Sequence, residues 1–178
     1  MTYKDNIERR AAELEVRAKG RRLEGYAATF NTRTKIADFE EEIRSGAFAA
    51  SLLSGDKLAL VDHDPNKLLG RTKSGTLKLA EDQRGLHFEV ALPSTSVAND
   101  VLALAERGDL GGCSFGFLVK RDAWSGSVRT LEEVDLREIS IVSSWPAYPA
   151  TSVTARSLAA AHRSVDQLTI DLLQLGAR

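Results

Sequence analysis

Apolar and polar residues alternate along much of this chain, and the alternation predicts strands before it predicts helices. Leu14, Val16 and Ala18 are separated by charged residues, Lys19-Gly20-Arg21 supplies a turn, and Leu23, Gly25 and Ala27 resume the period of two. Ala12 to Asn31 therefore reads as two strands. Leu58 to Asp62 reads as a third, ending at the turn His63-Asp64-Pro65-Asn66, because proline cannot donate to a strand ladder. Thr76–Ala80 and Gly85–Leu92 read as a hairpin, and Cys113–Arg121 and Arg129–Val142 as a long pair separated by Ser125-Gly126-Ser127. Three segments carry helical spacing instead. Phe39–Leu53 places Ile43, Ala47, Phe48, Leu52 and Leu53 on one side, although Ser45-Gly46 moves the expected start towards Gly46. Ser94–Arg107 aligns Val97, Val101, Leu104 and Ala105, with a hydroxyl cap at Ser94–Ser96 and Gly108 as its stop. Ser157–Leu175 aligns Leu158, Ala161, Val165, Leu168, Leu172 and Leu175. Residues 1–11 are polar and read as frayed or helical. The class is α+β with a largely antiparallel sheet or barrel, organised as one domain over 1–156 and an amphipathic helix over 157–178.

Composition changes this picture little. The 178 residues are 43% hydrophobic and 28% charged, as in ordinary globular chains. A formal net charge of -1 gives no electrostatic footprint for nucleic acid or a membrane surface. No apolar run approaches the ~20 residues of a spanning helix, and the charged N-terminus is followed by no hydrophobic segment of a secretory signal. A single cysteine allows no internal disulfide and fits a reducing compartment.

Three strand-like segments each hold one chemically capable side chain. In Gly111-Gly112-Cys113-Ser114-Phe115-Gly116-Phe117 the alternation puts Cys113, Phe115 and Phe117 on one face and Ser114 on the other with Gly116, leaving space around the hydroxyl. The alternative is a strand serine bonded to neighbouring backbone. His63 can act as a neutral general base at physiological pH, or can be a turn histidine bonded to Asp62 or Asp64. His87 alternates with Glu89 and faces solvent; His162 sits on the charged side of the terminal helix. Glu138 lies among Val134, Leu136, Ser140 and Val142, where an unpaired carboxylate costs several kcal/mol, roughly, so it needs a partner: protonated His63, or Arg121, Arg129 or Arg137. Asp135 and Asp62 are runners-up for its place. Cys113, although the better intrinsic nucleophile, falls on the core face. Asp62-His63-Asp64 has no further histidine or cysteine cluster at ligand spacing, so neither a metal nor another cofactor is expected. A hydroxyl, an imidazole and a carboxylate are the parts of a serine hydrolase, and such a triad is defined by geometry rather than chain order.

Several blocks resemble, in order, the tailed-phage prohead (capsid maturation) proteases. They are Arg21–Asn31, Ile43-Arg44-Ser45-Gly46-Ala47-Phe48, His63 with Leu69-Gly70-Arg71-Thr72, Cys113–Phe117, and Glu138–Val142 followed by Pro146–Ala150. The similarity runs over roughly residues 16 to 156. It implies a small, mainly antiparallel β-barrel wrapped by helices, related to the herpesvirus assembly proteases, and a serine endopeptidase with His63, Ser114 and Glu138 as its triad. It further implies that the coat protein's scaffolding segment and the enzyme itself are substrates, within the procapsid in the host cytoplasm. Where the herpesvirus enzymes use a second histidine, no histidine follows Ser114 before His162. Those relatives dimerise through a helix, a role open to Leu158–Leu175, which can equally pack on its own domain. The segment Ser143–Pro149 is the candidate source of an oxyanion-hole amide, with Pro146 and Pro149 excluded for lack of an N–H. A rival reading is a non-catalytic scaffold or capsid-interaction protein with a protease-like fold, using the terminal amphipathic helix to bind coat subunits.

Overall fold

The computed structural model describes residues 7–12 and 16–143. Its strands are β1 (Glu8–Ala12), β2 (Val16–Ala18), β3 (Arg22–Thr29), β4 (Thr34–Ile36), β5 (Phe39–Ile43), β6 (Leu58–Val61), β7 (Asp64–Arg71), β8 (Leu77–Glu81), β9 (Gly85–Ala91), β10 (Gly112–Ser125) and β11 (Val128–Val142). Two helices, α1 (Ala49–Leu52) and α2 (Ser96–Arg107), interrupt them. The helix expected over 157–175, His162, and most of the candidate oxyanion segment lie outside the described residues.

One sheet has seven strands in the order β1-β10-β11-β5-β4, with β6 paired to β11 and β7 to β6; the other has four, in the order β2-β3-β9-β8. Most pairs are antiparallel. The exceptions are β5 and β6, which run parallel to β11 along its first and second halves. Strands dominate and helices are few, as the alternation predicted. The barrel expected from the resemblance is not formed by the described residues: neither strand order returns to its first strand, and the sheets end at short, unmatched strands such as β1 and β4. Leu23, Leu86, Phe88 and Val90 of the small sheet instead join Phe115, Phe117, Leu131, Leu136, Ile139 and Ile141 of the large one in a continuous apolar core. Each such side chain contributes about 1.5–3 kcal/mol through burial. Phe48, at the start of α1, bridges Phe30 and Phe115, with ring centroids 6.2 and 5.5 Å away.

Three segments depart from expectation. Residues 8–11, read as frayed or helical, form β1 together with Ala12, because Glu8 and Arg10 find buried partners. The segment Phe39–Leu53 splits into β5 and the single turn α1: Phe39, Glu41 and Ile43 are all buried on one face with period two. Pro65 does not end a strand but lies inside β7. Leu60 pairs with Leu68 and Val61 with Asp64, so Pro65 sits in a bulge, where no ladder N–H is required. By contrast, α2 starts and stops where expected, with the Thr95 side chain accepting from the Ala98 N–H and Gly108 left-handed at φ 75°.

Candidate active site

His63 owes its position to a two-residue turn. Val61 of β6 pairs with Asp64 of β7, and the residues between them, Asp62 and His63, have φ of 49° and 60°. Positive φ at both central positions is the hairpin geometry whose twist matches the strands, and Asp and His tolerate it better than most residues. Four hydrogen bonds offset the strain. The Asp62 N–H donates to the Ile141 carbonyl (3.0 Å), the His63 N–H donates to Ser140 Oγ (2.9 Å), and the Asp62 carboxylate accepts from the Ser143 N–H (2.9 Å) and hydroxyl (2.8 Å). The turn is thereby fastened to β11.

On β11, Glu138 and Ser140 alternate onto one face, and β10 places Gly116 opposite Glu138 and Ser114 opposite Ser140. Glu138 Oε1 accepts a 2.7 Å hydrogen bond from His63 Nδ1 and a longer one, 3.3 Å, from Arg9 Nε. Because a carboxylate only accepts, Nδ1 carries the proton and Nε2 is left as the basic nitrogen. A Cβ at position 116 would lie 2.8 Å from Glu138 Oε1, so Gly116 provides the room in which the carboxylate sits. Glu138 Oε2 is buried and has no hydrogen-bond partner among the described residues. An orphaned buried acceptor costs about 1–3 kcal/mol.

Ser114 is not in the open space expected from its glycine neighbours. It is 1% exposed, covered by β1, and its hydroxyl donates to the Arg10 carbonyl at 2.8 Å. That bond to neighbouring backbone is the alternative kept open for a strand serine. The structure thus brings His63 and Glu138 into contact and sets Ser114 on their face, while the described bond of its hydroxyl goes to β1 rather than to the imidazole.

The other candidates stand apart. Cys113 lies in the core, where burial pushes its thiol up to about 12. His87 is on β9 of the small sheet, edge-on to Tyr26 with ring centroids 5.2 Å apart. Asp135 pairs with Arg137 (3.0 Å), Lys57 (3.8 Å) and Lys120 (4.0 Å). Neither Arg121 nor Arg129, both conceivable partners for Glu138, takes that place: Arg121 pairs with Glu132 and Glu133, and Arg129 with Glu8, Glu41 and Asp122.

The sequence pattern of the caudovirus prohead serine proteases matches residues 5–165. The chain belongs to that family. It is 33% identical over 140 residues to the prohead protease of Enterobacteria phage HK97, an alignment covering 75% of this chain and 59% of that protein, so the chain spans well under two thirds of its relative's length. No solved structure matches it.

Within this prohead-protease chain, sequence reasoning missed three contributors to the site and one neighbouring cluster. Ser140 was legible as the residue two places beyond Glu138 on a strand. Arg9 was hidden in a segment not read as a strand, and the pairing of Asp62 with Ser143 was hidden by Pro65. The cluster lies on the core side of β1. There Arg10 meets Glu41 through two bonds (2.6 and 2.9 Å) and Glu8 through one (2.7 Å), and Arg129 binds Glu8, Glu41 and Asp122 at 2.7 to 3.2 Å. Burial alone would lower the Arg129 pKa, but its bonds to Glu8 and Asp122 and the charges of Glu8 and Glu41 raise it, so the guanidinium stays charged.

Proposed function

We propose that this chain is a serine endopeptidase of capsid maturation, which cleaves the scaffolding segment of the coat protein, and itself, within the procapsid. Ser114 is the nucleophile, His63 the general base and Glu138 the residue that orients and charges the imidazole. The observation carrying this reading is the 2.7 Å bond from His63 Nδ1 to Glu138 Oε1 on the face that Ser114 shares.

In the proposed mechanism, Ser114 Oγ attacks the scissile carbonyl while His63 Nε2 takes its proton. Glu138 stabilises the imidazolium through Nδ1–H. Backbone N–H groups, for which Ser143–Pro149 is the candidate segment, hold the oxyanion. The imidazolium then protonates the leaving amine, and water, deprotonated at Nε2, releases the acyl group from Ser114. The residues 157–175 are the segment through which two copies would associate.

Labelling with a fluorophosphonate probe, alongside coexpression with the coat protein, tests the reading. Ser114-dependent labelling and a shortened coat band, both lost in Ser114→Ala, are the expected results; labelling that survives Ser114→Ala removes Ser114 from its role. The bond from Ser114 to the Arg10 carbonyl favours a second reading, a non-catalytic capsid scaffold. That reading expects no labelling and an unprocessed coat band with the unaltered chain.

A further inference from the structure

We propose that the edge of β10 now covered by β1 is the peptide-substrate site, and that residues 8–12 occupy it as a displaceable resident strand. The proposal rests on Ser114 being the nucleophile. With the hydroxyl 1% exposed and bonded to the Arg10 carbonyl, a peptide carbonyl already stands beside it, and no other can arrive while β1 stays.

The geometry of β1 is that of an added strand. It pairs antiparallel with β10 in unbroken register, from Glu8 opposite Phe117 to Ala12 opposite Cys113, and it is the end strand of its sheet. Addition to a sheet edge is a general mode of extended-peptide recognition, in which main-chain bonds supply affinity and alternate side chains supply selectivity. β1 also touches two members of the triad, binding the Ser114 hydroxyl through Arg10 and Glu138 through Arg9. Its departure would free both.

The buried charges permit that exchange. Glu8 and Arg10 leave together, one negative and one positive charge, and Arg129 remains paired with Glu41 at 3.2 Å and Asp122 at 2.7 Å. Glu41 keeps its Arg129 bond at Oε2, while its Oε1, which loses Arg10 Nε, is left for a donor from the incoming occupant. A cavity of about 50 Å³, lined in part by Arg10, Ala11, Glu41 and Phe115, borders the inner side of β1. Glu41, which grips the Arg10 guanidinium through both oxygens, favours an occupant with a basic side chain at that place.

A cross-strand lock tests this in the full chain. Directly opposed strand residues fall within disulfide reach, and residue 12 is the register partner of Cys113. Ala12→Cys, refolded with oxidant so that the bridge forms before Cys113 is buried and checked by mass, should lose at least 100-fold in the rate of fluorophosphonate labelling at Ser114. The same variant refolded without oxidant should retain it. Glu8→Gln, which weakens the hold on β1, should label several-fold faster than the unaltered chain. Equal labelling of locked and unlocked protein, or no gain in Glu8→Gln, overturns the proposal. Hydrogen exchange separates this from failure of the catalytic reading. Early exchange of the 8–12 amides supports a displaceable strand; if no form labels at Ser114 the catalytic reading falls, and the assignment of this edge as the peptide site falls with it. Exchange of those amides only with global unfolding overturns the proposal whatever the labelling.

Discussion

Two buried carboxylates, Glu41 and Glu138, lie on opposite faces of the same sheet and are treated differently by it. Both are at least nine-tenths buried. Each Glu41 oxygen meets a guanidinium, from Arg10 or Arg129, and the cluster ties β1, β5 and β11 together. Glu138 spends one oxygen on both His63 and Arg9, and its other oxygen has no partner among the described residues. A matched cluster fixes strands against one another; an unmatched one leaves bonding capacity where a proton or a substrate can use it. The first fixes position; the second is the carboxylate to which we assign a part in the chemistry.

Neutralising each carboxylate in turn separates the two roles most sharply. Glu138→Gln should lower turnover about 10³–10⁴-fold, because the amide can neither stabilise the imidazolium nor enforce its tautomer, while melting changes little. Glu41→Gln should do the reverse. Breaking a buried pair costs about 3–5 kcal/mol, a fall in Tm of roughly 10 °C, with kcat per folded molecule retained and KM raised for peptides that seat a basic side chain beside Glu41. Both are checked by kinetics and thermal unfolding on the same preparation; a melting defect in Glu138→Gln with normal turnover would make Glu138 a structural residue.

Gly116→Ala comes next. The added methyl must displace the carboxylate it would meet at 2.8 Å, so turnover should fall about 100-fold, measured by kinetics on the folded variant. Ser140→Ala removes the acceptor for the His63 N–H. It should cost about 1 kcal/mol in unfolding and roughly tenfold in turnover. The smallest effect belongs to Cys113. With its thiol pushed up to about 12 by burial, the thiolate fraction at pH 8 is roughly one in ten thousand, so iodoacetamide should leave the folded chain unmodified by mass and its activity intact.

What the sequence disclosed, and what it concealed, follows the same division. β10, β11, β8 and β9 were legible because their buried faces are apolar and alternate, and α2 because Thr95 and Gly108 are conventional caps. The coexistence of His63 and Glu138 at one site was legible because a lone carboxylate on an apolar strand face demanded a partner. β1 and β5 were concealed because Glu8, Arg10 and Glu41 face inward, and a hydropathy pattern counts a buried charge as a surface residue. The parallel pairings of β5 and β6 with β11 join segments some 80 to 90 positions apart, and no local period encodes them.

Because β1 belongs to the chain it caps, any peptide that takes its place competes with a tethered rival. A strand joined to its own edge through the chain is held there at an effective concentration on the order of millimolar. A free peptide of equal intrinsic affinity must approach that concentration to occupy the edge half of the time. Dilute assays with micromolar peptide would therefore read a slow enzyme whose rate climbs in proportion to substrate, well short of saturation.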